Sequence, residues 1–139
     1  MDSKKHLEDF YNYKYWREIQ RNQLNNASNI IFTFTVAIIG FTINYLLNNN
    51  TCPIITDFLF ISITIYSISI FFYFLMNIIK LIDYRKTASL IKSNVSLDEI
   101  GKKTYILGQI IWFSFILETV LTFLGLIISI ITFKSLILK

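Results

Sequence analysis

Three apolar runs take up nearly half of this 139-residue chain: IIFTFTVAIIGFTINYLL at 30–47, FLFISITIYSISIFFYFLMNII at 58–79 and ILGQIIWFSFILETVLTFLGLIISIITF at 106–133. A helix needs roughly 20 apolar residues to cross a bilayer core about 30 Å thick, and each run is of that order or longer. The third is too short for two spans and longer than one strictly needs. It reads as one long, tilted helix whose first residues stay in the cytoplasmic headgroup layer. Composition agrees: isoleucine supplies 27 residues and phenylalanine 13, and the mean hydropathy is +0.54, which places the chain outside the soluble globular class. The fold class is therefore an all-α integral membrane protein with three transmembrane helices.

The first run begins only at Ile30, behind a charged segment, and no A-x-A-like site follows it, so it is expected to stay as an anchor. Cys52 is the only cysteine. An internal disulfide is excluded, which leaves an intermolecular bridge or, more simply, an unpaired thiol. Abundant Lys, Asn and Ile with scarce Ala and Gly suggest a low-GC, bacterial source, and hence the inner membrane.

Lys and Arg are strongly segregated. Five precede Ile30, none lies between Leu47 and Phe58, six lie between Lys80 and Lys103, and Lys134 and Lys139 close the chain. The positive-inside rule then puts the N-terminal segment 1–29 and the middle loop 80–105 in the cytoplasm, with the turn 48–57 and the tail 134–139 outside. Segment 80–105 lacks Pro, and KLIDYRKTASLIKS continues the register of the second span. SLDE, from Ser96 to Glu99, is a capping box that starts a new helix running into the third span. The N-terminal segment also lacks Pro and Gly, with NNASN as a candidate bend. About 50 residues thus form a small cytoplasmic helical layer, too few for an independent catalytic domain but enough for a bundle in a homo-oligomer.

Residues three or four apart share a helix face. In the third span Ser114, Glu118, Thr122, Gly125, Ser129 and Thr132 form one line, extended by Thr104, with Thr119 off it. The second carries Ser62, Tyr66, Ser69, Tyr73 and Asn77, then Lys80 and Tyr84, with Thr64 and Ser67 off the line. The first carries Asn22, Asn26, Asn29, Thr33, Ala37, Gly40 and Asn44, with Thr35 and Thr42 elsewhere. Such faces turn away from acyl chains, either into a dry seam within one protomer or toward a water path between protomers.

Glu118 is the unusual member. A charge near the centre of a span costs about 2.5 to 3.5 kcal/mol on insertion scales, which the surrounding Ile, Leu, Phe and Val outweigh. No Lys, Arg or His is expected at its depth, since Lys80 falls at the cytoplasmic boundary. Two states are open to it: protonated in a dry seam, or ionised beside water in a channel lined by several copies of the chain. A ring of carboxylates would favour cations, and because three helices cannot enclose a useful pore, that state requires a homo-oligomer. The line Ser114 to Thr132 is accordingly a candidate pore lining or helix contact.

YNYKYWREIQR places Lys14, Arg17 and Arg21 on one arc, interleaved with Trp16 and three tyrosines, and Arg85 and Lys86 add charge to the same layer. Anionic headgroups are one partner for this face. A nucleotide or short oligonucleotide, its phosphates held by guanidinium groups and its bases stacked on rings, is the other. Seven acidic residues offset eleven basic ones there, which disfavours general nucleic-acid binding. His6 has no metal-ligand spacing around it, and no phosphate loop, nucleophile elbow or paired intramembrane carboxylates occur, so neither an enzyme nor a cofactor is expected. The sequon Asn49 to Thr51 is better read as turn geometry.

YWREIQRNQLNNASNIIFTFTVAIIGF, followed by a membrane hairpin and a helical cytoplasmic return, resembles the small pore-forming effectors of bacterial antiphage systems, including the SLATT-type proteins. The resemblance covers residues 11–93, is architectural and carries no diagnostic motif. The third span with Glu118 departs from the two-span pattern. The resemblance implies an oligomeric membrane effector, controlled by the product of a partner nucleotidyltransferase, that permeabilises the inner membrane. The function expected is thus a gated channel or pore-forming effector. A holin-like lesion former and a passive accessory or immunity subunit are the alternatives.

Overall fold

The computed structural model describes the backbone of residues 2–48, 52–93 and 97–137, and the side chains of 15, 18–48, 52–90, 92, 93 and 99–135. It is helical throughout, with α1 at Asp2–Asn48, α2 at Pro53–Lys92 and α3 at Leu97–Ile137. Within these helices, Glu18–Asn48, Pro53–Leu90 and Glu99–Ser135 are long and apolar enough to cross a bilayer. The chain reads as a multi-pass membrane protein. It divides into two compact units, Met1–Ile30 and Ile31–Lys139.

The helix ends have local causes. The N-terminal segment and the first span are one helix, α1. α2 starts at Pro53 rather than Phe58, because proline at a first helical position loses no needed N–H and has its φ already set. The Cys52 carbonyl accepts the N–H groups of Ile55 at 3.0 Å and Thr56 at 3.1 Å, and the Thr56 hydroxyl at 3.3 Å. The sequon at Asn49 to Thr51 lies outside the described residues. α2 then continues through the expected cytoplasmic return to Lys92, where Ser93 closes it by donating its N–H to the Ser89 carbonyl and its hydroxyl to that of Leu90. α3 starts at Leu97, at the capping box, although Ser96 itself lies outside the described residues. Glu99 pairs with Lys103 one turn on, at 3.9 Å.

Within the second unit, hydrogen bonds and ring contacts set the helix register. α2 and α3 run antiparallel: Tyr66 lies against Gly125 and Ser129, Ser69 against Glu118 and Thr122, and the Lys86 ammonium donates to the Lys103 carbonyl at 2.9 Å. α1 runs parallel to α3, with Thr35 at Thr122, and Phe41 and Tyr45 against Phe133. Phe32 stacks on Tyr73 of α2 at 4.3 Å between centroids and meets Phe74 edge-on. The first residues of the third apolar run thus lie beside the charged end of α2, near Lys86.

Burial follows a period of seven. Ile55, Ser62, Ser69, Met76 and Asp83 are buried on α2, and Thr104, Ile111, Glu118, Gly125 and Thr132 on α3. Leu59 and Tyr66 fill the neighbouring positions on α2, and Ser114, Thr122 and Ser129 those on α3. A heptad repeat is the signature of left-handed helix packing. Small hydroxyl residues at those positions bring the backbones close, the device by which helices associate without a hydrophobic driving force.

Candidate functional site

The seam between the three helices is polar at its centre. The Ser69 hydroxyl lies 2.8 Å from the Glu118 carbonyl and 2.8 Å from the Thr122 hydroxyl, which in turn lies 3.1 Å from that of Thr35. A carbonyl only accepts and each hydroxyl has one proton, so Ser69 donates to the Glu118 carbonyl and Thr122 donates to Ser69, which leaves the Thr122 oxygen as one acceptor for Thr35. The Thr35 proton has a competing acceptor in the Ile31 carbonyl at 2.8 Å. This relay ties α1, α2 and α3 together one turn from the Glu118 carboxyl.

A second contact lies further along. Tyr66 is fully buried, its hydroxyl 3.3 Å from that of Ser129 and its ring against Gly125. A Cβ on Gly125 would stand 2.6 Å from Tyr66 Cε1, so only glycine admits the ring there.

All six residues of the α3 line, Ser114, Glu118, Thr122, Gly125, Ser129 and Thr132, are buried within the protomer, facing helices of the same chain. Thr104 extends the buried line as the sequence suggests. On α2, Ser62, Tyr66 and Ser69 are buried and Tyr73 and Asn77 half-buried. The off-line hydroxyls of Thr64, Ser67 and Thr119 donate to their own i−4 carbonyls, which lets them face lipid with their protons satisfied.

Helix α1 has two polar faces. Asn22, Asn26, Asn29, Thr33, Ala37, Gly40 and Asn44 are all exposed, whereas Ser28, Thr35 and Thr42 are buried. The spacings of four and three draw attention to the first set. The spacing of seven from Ser28 to Thr35 to Thr42 was the signal for the second.

Glu118 is 1% exposed. Stepping one turn from the Thr35–Thr122 pair along both helices puts it level with Ile31, at the start of the first apolar run rather than at mid-span. Lys80 is half-buried on α2, two turns past Tyr73, the residue that stands opposite Glu118. Side chains lean toward the N-terminus of their own helix, so on antiparallel helices Lys80 and Glu118 lean toward each other.

Arg85 and Lys86 are exposed on α2, and Arg21 is half-buried on α1. The side chains of Lys14, Trp16 and Arg17 lie outside the described residues. Comparison of the chain with protein families, curated proteins and solved structures finds no match.

Proposed function

We propose that the chain is one subunit of a homo-oligomeric membrane channel or pore-forming effector of the bacterial inner membrane. The observation that carries this reading is the outer face of α1. Thr33, Ala37, Gly40 and Asn44 are exposed in a helix long and apolar enough to span a bilayer. Amides and exposed backbone are poorly matched to acyl chains and well matched to another helix or to water. A ring of α1 helices from several copies supplies both. In this state the α3 line is the closed seam of each subunit, and a cation path lined by Glu118 opens when α3 turns or parts from α2. The basic residues Arg21, Arg85 and Lys86, with Lys14, Trp16 and Arg17, are where a cytoplasmic nucleotide or short oligonucleotide made by a partner nucleotidyltransferase would act, in keeping with the antiphage resemblance.

Planar-bilayer recording of the purified protein tests this. Discrete cation currents are expected, reduced in Ala37→Leu and Asn44→Leu and altered in ion selectivity in Glu118→Gln. A preparation without current, or with current indifferent to all three substitutions, overturns the reading.

One observation favours a second reading, the accessory or immunity subunit. The α3 line is buried within one chain, so it needs no pore, and the α1 face would then pack on a different membrane protein. A monomer in detergent that keeps its fold only with a co-purifying partner would decide for it.

A further inference from the structure

We infer that Lys80 and Glu118 form an ion pair between α2 and α3 that holds the seam shut, with Glu118 kept charged by this lysine rather than by water. For what the lock controls, the inference rests on the channel reading above; the pair itself stands without it.

Register places the partners. Ser69 meets Thr122, so one turn toward the other end Tyr73 stands opposite Glu118, and Lys80 lies two turns beyond Tyr73. The axial gap is about 10 Å at 1.5 Å per residue. Lys80 leans toward Pro53 and Glu118 toward Leu97, and on antiparallel helices these directions converge. The bonds from Ser69 to the Glu118 carbonyl and from Lys86 to the Lys103 carbonyl fix the two helices on either side of the gap. Glu118 is too deeply buried for water to solvate its charge. No other basic residue occurs from 22 to 79, or between Lys103 and Lys134, so Lys80 is the cation of α2 and α3 that comes nearest to Glu118 along the seam. A buried carboxylate demands such a partner.

The pair also connects the seam to the charged end of α2. Lys80 stands one to two turns from Arg85 and Lys86 on the same helix, and a rigid displacement of that end, when an anion binds, moves the ammonium relative to Glu118. A shift of one helical turn is enough to part them, after which the carboxylate must seek water.

Infrared difference spectra of membrane-reconstituted protein, wild type against Glu118→Gln, isolate the Glu118 band. The expected result is an ionised carboxylate band in the wild type, retained in Lys80→Arg and replaced by a protonated carboxyl band in Lys80→Met. Lys80→Gln substitutes should Lys80→Met not fold. A carboxylate band that survives loss of the lysine charge overturns the pair, as does a protonated band in the wild type. Conduction plays no part in that result, so it stands even if the wild type passes no current. Where currents are found, Lys80→Met is expected to raise spontaneous open probability at least about twofold, the lower end of direct pairwise couplings. Open probability equal to the wild type's overturns the lock.

Discussion

At the scale of single residues, the seam works because each hydroxyl has a defined job. The Thr122 hydroxyl lies within hydrogen-bond distance of both Thr35 and Ser69, joining α1 to α2 through α3. Replacing it with valine keeps the shape and removes the link. Thr122→Val is expected to destabilise the fold by about 1 to 2 kcal/mol, since cross-helix bonds in membranes contribute up to about 1.7 kcal/mol each. Thr119→Val, which loses only a bond to its own Phe115 carbonyl, should change stability by less than about 0.5 kcal/mol. Reversible unfolding in mixed detergent micelles measures both. Gly125 is the other fixed point. Gly125→Ala puts a methyl into the Tyr66 ring, and overpacking of this kind costs about 1 to 3 kcal/mol. The same substitution in a Tyr66→Ala background should cost close to nothing, which separates the clash from any intrinsic effect of alanine.

At the scale of elements, α1 carries two polar faces, one buried and one exposed. Thr35 and Thr42 face inward at a spacing of seven, while Thr33, Ala37, Gly40 and Asn44 face outward. Bulk added on each side should therefore be felt in different measurements. Gly40→Leu, where an added Cβ meets nothing within the protomer, is expected to leave unfolding of the subunit unchanged and to lower oligomer mass by native mass spectrometry. Thr35→Leu is expected to do the reverse, lowering subunit stability by about 1 to 3 kcal/mol through overpacking. If both variants moved the same measurement, the separation of the two faces would fail. The long extensions of α2 and α3 beyond their apolar runs are joined by the Lys86 ammonium, which donates to the Lys103 carbonyl.

At the scale of the whole molecule, topology decides which end of the seam meets which compartment. Cys52 is the only cysteine, is exposed, and sits at the end where α1 passes into α2; Ser93 is exposed at the end where α2 passes into α3. The positive-inside rule puts these ends on opposite sides. A membrane-impermeant maleimide should label Cys52 in cells whose inner membrane is intact. In a Cys52→Ser background, Ser93→Cys should be labelled only after that membrane is opened. The opposite pattern would invert the protein and place Arg85 and Lys86 outside, where a cytoplasmic signal has no access.

Much of this was legible in the residues alone. Hydrocarbon tolerates few polar groups, so the number of spans, their helical state and the polar line from Ser114 to Thr132 follow from composition and spacing along one helix at a time. Which line faces inward is a different kind of question. α1 has two polar faces of similar composition, and nothing within that helix ranks them. The choice is made across helices, where Thr35 meets Thr122, Ser69 meets the Glu118 carbonyl, and Gly125 leaves room for Tyr66. The same is true of Glu118. Along the chain it is mid-run and 38 residues from Lys80; in the bundle α3 runs antiparallel to α2, and direction along a helix acquires meaning only against a neighbour running the other way.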